Sequence, residues 1–200
     1  MKCSYITIER QYGSAGTEIA RRLAEETGVP IYGREILEKV SEKYGFSIDE
    51  IEKYEETVQN SFLYSVYVMG KVQSGDGDCL ARDGHIYVAE QAVIRELASH
   101  GPGIFVGHCA GEALTDRSGV VNVFIRCSDE NAKSNRIRKD YSIPAPQTES
   151  TRKWYDRKRA NYYNANTQKK WNDLSNYDIV LDSGKLGIDG CVEVLKGLIQ

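Results

Sequence analysis

The sequence predicts an α/β fold in three layers, a central parallel sheet with helices on both faces. Three observations predict it. Short, continuously apolar stretches of β-forming residues such as "GIFVG" and "VVNVFI" alternate with longer segments whose apolar residues recur every three or four positions. The chain opens with strand, glycine turn and helix in "YITIERQYGSAGTEIARRLAEETG" and closes with strand and helix in "YDIVLDSGKLGIDGCVEVLKGLI". No internal repeat or low-complexity tract interrupts the alternation, which is the pattern of βαβ units.

Each element follows in order. Tyr5 to Ile8 is a strand, Gly13 and Gly16 bracket a turn, and Ile19, Ala20, Leu23 and Ala24 recur at helical spacing. "GVPIYGREILEKVSEKYG" gives a short extended piece and a helix with Ile36, Leu37 and Val40 on one side. In "FSIDEIEKYEE" Ser47 and Glu50 have the spacing of a capping box, which starts a further helix. "TVQNSFLYSVYVMGKV" is apolar and aromatic enough for a buried helix, a substrate wall or a contact between copies of the chain. "QSGDGDCLARDGH" reads as a loop from its glycines and aspartates, without the acidic spacing of an EF-hand. "IYVAEQAVIRELASHG" is an amphipathic helix ending at Gly101, followed by strands in "GIFVG" and "VVNVFIRC". A basic helix runs to about Tyr141, two prolines in "SIPAPQTES" break it, and a polar, aromatic, basic segment spans Thr151 to Trp171. In the last helix Ile188, Val192, Leu195 and Ile199 share a face.

Two hundred residues, 40% hydrophobic and 28% charged, fit one globular domain. The N-terminus enters a strand without the apolar core of a signal peptide, and no uncharged run is long enough to span a membrane, so a cytoplasmic location is expected. Five scattered cysteines (3, 79, 109, 127 and 191) form no C-x-x-C pair and read as small buried thiols. A net charge of −3 argues against binding a nucleic acid polymer. Its distribution is uneven: residues 126–170 carry +7 and residues 18–56 carry −5. The basic stretch suits a small polyanion such as a nucleotide, or is a solvated helix face.

The first turn has the layout of a phosphate cradle. In the frame G-x-x-x-x-G-K-[ST], backbone N–H groups and a helix N-terminus hold phosphates and the lysine reaches the outer ones. Here Arg10 stands at the first glycine, Ala15 at the second, Gly16 at the lysine and Thr17 at the hydroxyl residue. Either Arg10 supplies the displaced cation, or it is a strand-end arginine paired with an acid such as Glu18.

With these residues in view, the chain resembles the cytidylate kinase-like proteins, a branch of the P-loop nucleoside monophosphate kinases. The resemblance covers nearly the whole length. It rests on "ITIERQYGSAGTEIARRLA", "VPIYGREIL", "GFSIDEIEKYEE", "VIRELASHGPGIFVGHCA", "VNVFIRCSDENAKSNRI" and "DRKRANYYNANTQKKWNDLSNYDIVLDSGKLGID", in that order. It implies one kinase-like domain over residues 1–200 with a P-loop NTPase fold. The core would comprise about 1–32, 101–140 and 176–200, a helical acceptor-binding subdomain about 33–100, and a helical lid about 141–175.

It also implies a function, ATP- and Mg²⁺-dependent phosphoryl transfer to a nucleoside monophosphate or a related small phosphate acceptor. The alternative is a nucleotide-binding regulatory protein that keeps the fold without catalysis. The nucleotide cradle would be Gly13, Ser14, Ala15, Gly16, Thr17 and Glu18, with Thr17 toward Mg²⁺. "RKWYDRKR" matches the lid pattern R-D-x-x-D-S-x-R at Arg152, Asp156 and Arg159, so the resemblance implies that Arg152 and Arg159 stabilise the transferring phosphoryl group and that Asp156 meets substrate; Arg10, as the displaced cation, would join them. The same three lid residues at helical spacing are also a plain surface ion-pair cluster. Arg34, Arg95 and His108 are the acceptor ligands implied. The chain departs from the family pattern at Gly107-His108-Cys109, where G-R-D is usual, and at Gly33, where an acid is usual. The nucleophile implied is a phosphate, which needs no strong general base.

Overall fold

The computed structural model describes residues 3–57 and 77–199. Its five strands are β1 (Tyr5–Arg10), β2 (Ile31–Tyr32), β3 (Gly103–Val106), β4 (Val120–Arg126) and β5 (Ile179–Asp182). They pair in parallel in the order β2-β3-β1-β4-β5, so β1 is central and the connections leaving β1 and β3 diverge to opposite sides of the sheet. In such sheets the crevice beyond the strand C-termini at the divergence is the place for a ligand.

The helices are α1 (Gly16–Thr27), α2 (Arg34–Tyr44), α3 (Ile48–Thr57), α4 (Gly77–Ser99), the single turn α5 (Ala110–Ala113), α6 (Glu130–Asp140), α7 (Thr148–Thr167) and α8 (Ser183–Ile199). Strand alternation divides the core in two. Ile6 and Ile8, Ile104 and Val106, and Val123 and Ile125 face α1 and α8, where Ile19, Leu23, Cys191 and Leu195 are buried. Phe105 and Phe124 point the other way, into a cluster with Ile36, Val40, Ile51, Ile94, Tyr162 and Trp171 from α2, α3, α4, α7 and the chain after it. The two clusters give the three layers expected.

Local chemistry sets several boundaries. At the start of α3 the Glu50 amide donates to the Ser47 hydroxyl at 3.2 Å and the Ser47 amide donates back to the Glu50 carboxylate at 2.9 Å, the reciprocal cap the spacing predicts. Asp129 caps α6 by accepting the amides of Asn131 and Ala132. One expectation is corrected: within "QSGDGDCLARDGH" the residues from Gly77 onward are helical and begin α4. Packing of the later turns of α4 outweighs the local loop preference of its glycines, a weak effect of about 1 kcal/mol per residue. The expectation for "TVQNSFLYSVYVMGKV" lies outside the described residues beyond Thr57. Cys3, Cys109, Cys127 and Cys191 are buried free thiols, as expected. Among the described residues no helix is long and apolar enough to cross a membrane.

Candidate active site

The turn between β1 and α1 wraps the N-terminus of α1. Gly13 has φ +77°, and a side chain there would strike Lys133 and Ile137 of α6. Ala15, at φ 64°, forms the helix N-cap without any side-chain acceptor. The first amides of α1 have no acceptor within the helix. They open, with Gly13, Ala15, Gly16, Thr17 and Glu18, onto a cavity of 640 Å³ that Arg136 and Lys139 of α6 and Arg159 of α7 border on the other side. Backbone donors, a helix N-terminus and three nearby cations, with Glu18 and Asp140 as the carboxylates of the lining, are a combination that suits an anion. Glu18 does not spoil it. Its carboxylate accepts from Arg21 and Arg22, and the Arg21 bond, ahead of the others, holds its pKa below the usual range.

Arg10 explains Gly16. A Cβ on Gly16 would sit 2.5 Å from the Arg10 Cβ and 2.9 Å from its Cγ, and one on Gly107 would overlap the Arg10 guanidinium. The Arg10 side chain therefore passes over the first residue of α1 and reaches the backbone beyond β3. A lysine at position 16 would force the Arg10 side chain to move.

From the far side, α7 closes on the turn. Tyr12 donates its amide to Asp156 Oδ1 at 2.6 Å, and Arg159 Nη1 donates to the Arg10 carbonyl at 2.8 Å. The Tyr12 ring is stacked on Tyr155 at 4.3 Å between centroids, touches Tyr141 at 4.8 Å and lies 5.7 Å from the Arg159 guanidinium. Burial, reinforced by the two neighbouring tyrosines, pushes the Tyr12 hydroxyl up to about 12. Burial also raises the Asp156 carboxyl, against the lowering effect of the Tyr12 amide and of Arg159.

A second cavity, of 560 Å³, opens on the other side of Arg10. Thr17 and Arg159 also border both cavities. Its other walls include β1 (Glu9), α1 (Arg21), α2 (Arg34, Glu35, Leu37), α3 (Glu52), the end of β3 and the residues after it (Val106, Gly107, His108) and α7 (Tyr155, Lys158, Tyr162, Tyr163). It mixes cations and the carboxylates of Glu9, Glu35 and Glu52 with aromatic and apolar surface. Glu9 is oriented by Trp171, whose indole N–H donates to its carboxylate at 3.0 Å.

The structure brings Arg10, Thr17 and Arg159 together, with Gly13, Ala15, Gly16 and Glu18 on the first cavity and Arg34 and His108 on the second. Four expected residues lie elsewhere. Ser14 is completely buried beneath the turn, where its carbonyl accepts from Ser183 at 2.7 Å, because the turn's left-handed residues aim it inward. Arg95 donates to the Ala113 carbonyl at 3.0 Å, an α4 to α5 contact outside both cavities, because its helix face is turned to α5. Arg152 pairs with Glu149 at 2.9 Å and with Glu130 at 3.8 Å and borders neither cavity, since Glu149 lies one turn before it and Glu130 faces it from α6. Asp156 holds the turn itself. Arg136, Lys139 and Lys158, which border the cavities, were signalled only by the +7 charge of their stretch.

The fold is phosphotransferase-like, that of the P-loop kinases. The sequence model of the cytidylate kinase-like family matches residues 5–185, and the chain belongs to that family. An uncharacterized protein from Eubacterium ventriosum is similar in structure, with 24% identity, a TM-score of 0.70, and coverage of 98% of this chain and 97% of the other. Shikimate kinase from Bacteroides thetaiotaomicron is similar at 10% identity and a TM-score of 0.54, over 98% of this chain and 97% of its own. Shikimate kinase from Acinetobacter baumannii, solved in complex with shikimate, is similar at 14% identity and a TM-score of 0.50, over 98% and 93%. At these identities the likeness concerns the fold. No curated protein matches the chain in sequence.

Proposed function

We propose that the protein transfers the γ-phosphoryl group of ATP to a small anionic acceptor, with ATP in the first cavity and the acceptor in the second. The observation that carries this reading is the shared wall: Arg10, Thr17 and Arg159 border both cavities. A group passing from one to the other crosses between two guanidinium groups. Phosphoryl transfer develops charge on the transferring oxygens and is accelerated chiefly by positioning and electrostatic stabilisation. The β1–α1 amides would hold the phosphates, and Arg10 would take the place of the lysine absent at Gly16. Arg136 and Lys139 would meet the nucleotide from α6.

Mg²⁺ suits this site, because that ion needs few protein ligands beside phosphate and water, and the Thr17 hydroxyl stands on the first turn of α1 between the cavities. When bound it would neutralise phosphate charge. In this reading residues of about 33–100 form the acceptor side and about 141–175 the lid, whose helix α7 meets the phosphates through Arg159. The cations of the second cavity suit a phosphate, as of a nucleoside monophosphate, or a carboxylate, as of shikimate.

Calorimetric titration with Mg²⁺ and a non-hydrolysable ATP analogue tests the donor side, and turnover with nucleoside monophosphates and hydroxy acids tests transfer. Arg159→Ala is expected to lower kcat roughly ten- to a hundredfold, the effect of one charge-assisted hydrogen bond worth about 1.5–3 kcal/mol, while changing analogue affinity less. An unchanged kcat removes Arg159 from the mechanism. A second reading, nucleotide binding without catalysis, is favoured by Gly16 in place of the lysine, and analogue binding without turnover would support it.

A further inference from the structure

Within the second cavity stands a pair that phosphate-acceptor chemistry leaves without a task. His108 borders the cavity, and its Nδ1 lies 3.3 Å from Oε1 of Glu90, a carboxylate with no solvent exposure on α4. The other Glu90 oxygen accepts the Tyr162 hydroxyl. The backbone at His108 is fixed as well: Gln91 Nε2 donates to the His108 carbonyl at 3.1 Å, and Gly107, His108 and Cys109 all have positive φ, at 80°, 55° and 53°. Two successive non-glycine residues in the left-handed region is a costly conformation that persists where the surroundings enforce it. Here it turns the imidazole into the cavity with its Nδ1 edge on Glu90. The two ring nitrogens lie on opposite edges, so Nε2 is directed away from Glu90.

We infer that His108 is the general base for an acceptor whose nucleophile is a hydroxyl group, with Glu90 as its positioning residue. The inference rests on the phosphotransferase reading and deepens it. A phosphate monoester is largely dianionic at neutral pH, so it attacks without help. An alcohol must lose a proton during transfer, and a held imidazole is the side chain suited to take it. A buried carboxylate behind the imidazole stabilises an imidazolium and would repel a phosphate dianion seated against it. In the step, the hydroxyl oxygen bonds to the γ-phosphorus of ATP and the bond from that phosphorus to the bridging oxygen breaks. The hydroxyl proton passes to His108 Nε2, and ADP and the phosphorylated acceptor leave. The same cavity wall carries five cations, Arg10, Arg21, Arg34, Lys158 and Arg159, against three carboxylates, Glu9, Glu35 and Glu52, and the cations offset the anion of the acceptor.

Water is a hydroxyl acceptor always present, so the intrinsic hydrolysis of Mg–ATP reads the base directly. It is measured beside turnover with shikimate, glycerate, CMP and AMP. His108→Asn is the first variant, because asparagine tolerates a φ of this sign better than other residues. His108→Ala, with imidazole added, is the second. The expected result is loss of hydrolysis and of hydroxy-acid turnover by roughly 10²- to 10⁴-fold in His108→Asn, with affinity for the non-hydrolysable analogue unchanged, and partial recovery of His108→Ala by imidazole. Glu90→Gln should lower kcat without raising the KM for ATP. Unchanged hydrolysis in His108→Asn, or turnover with CMP or AMP that the substitution leaves intact, overturns the base. Analogue binding without any turnover also overturns it, whereas failure to bind the analogue overturns the phosphotransferase reading on which it rests.

Discussion

At the scale of single residues, the site turns on one exchange. The cation stands at the end of β1 instead of the start of α1, and the glycine has moved the other way. The exchange is steric as much as electrostatic, because a Cβ at position 16 would fall 2.5 Å from the Arg10 Cβ. Gly16→Lys alone is therefore expected to destabilise the fold, by the ~1–3 kcal/mol typical of overpacking, and to weaken analogue binding. Combined with Arg10→Gly, the same lysine should recover both. Urea denaturation and calorimetry of the two single variants and the double variant give the coupling, which for residues in contact is about 0.5–3 kcal/mol. Strictly additive effects would mean that Arg10 and Gly16 do not share the space.

At the scale of elements, helix α7 is held to the β1–α1 turn by the Asp156 carboxylate on the Tyr12 amide and by Arg159 on the Arg10 carbonyl. Burial raises the Asp156 pKa, so the folded chain keeps its proton to higher pH than the unfolded chain does. This group therefore favours folding as pH falls through the carboxylate range and disfavours it at neutral pH. Asp156→Asn keeps an oxygen for the Tyr12 amide and removes the buried charge. It should be at least as stable as the parent at pH 7, and the gap should close as pH falls to about 4. Asp156→Ala should lose about 1–3 kcal/mol, the cost of an unsatisfied amide. A parent more stable than Asp156→Asn at pH 7 would show that the charge is net favourable.

The same element marks how far the sequence could be read. Strand and helix order was legible from periodicity except at the start of α4, where glycines and aspartates read as a loop; Arg10 and Thr17 were marked by the glycine-turn frame and Arg159 by the family's lid pattern. Arg152 was not, because one helical face serves the cavity or the surface according to which acids lie beside it, here Glu149 and Glu130. Nor was the Tyr12 stack, which joins residues far apart in the chain. Glu90 and His108 likewise meet only because α4 packs against the turn after β3.

At the scale of the whole molecule, charge placement outweighs charge total. The chain carries −3, yet β1, α6 and α7 direct Arg10, Arg136, Lys139 and Arg159 at one cavity. The two descriptions make opposite predictions about salt. If net charge governed encounter with a nucleotide anion, screening the repulsion would strengthen binding. If the cavity's own field governs it, screening must weaken binding, because the Debye length shrinks from about 10 Å at 0.1 M to about 3 Å at 1 M. The second outcome is expected: with Mg²⁺ held saturating, a loss of about 1 kcal/mol on raising salt from ~0.05 to ~0.5 M would weaken analogue affinity about fivefold. Lys139→Gln should flatten that dependence while leaving the fold intact, since Lys139 is exposed at the cavity edge. Calorimetry across the salt series decides between them, and an affinity that rises with salt would return the site to the average charge of the surface.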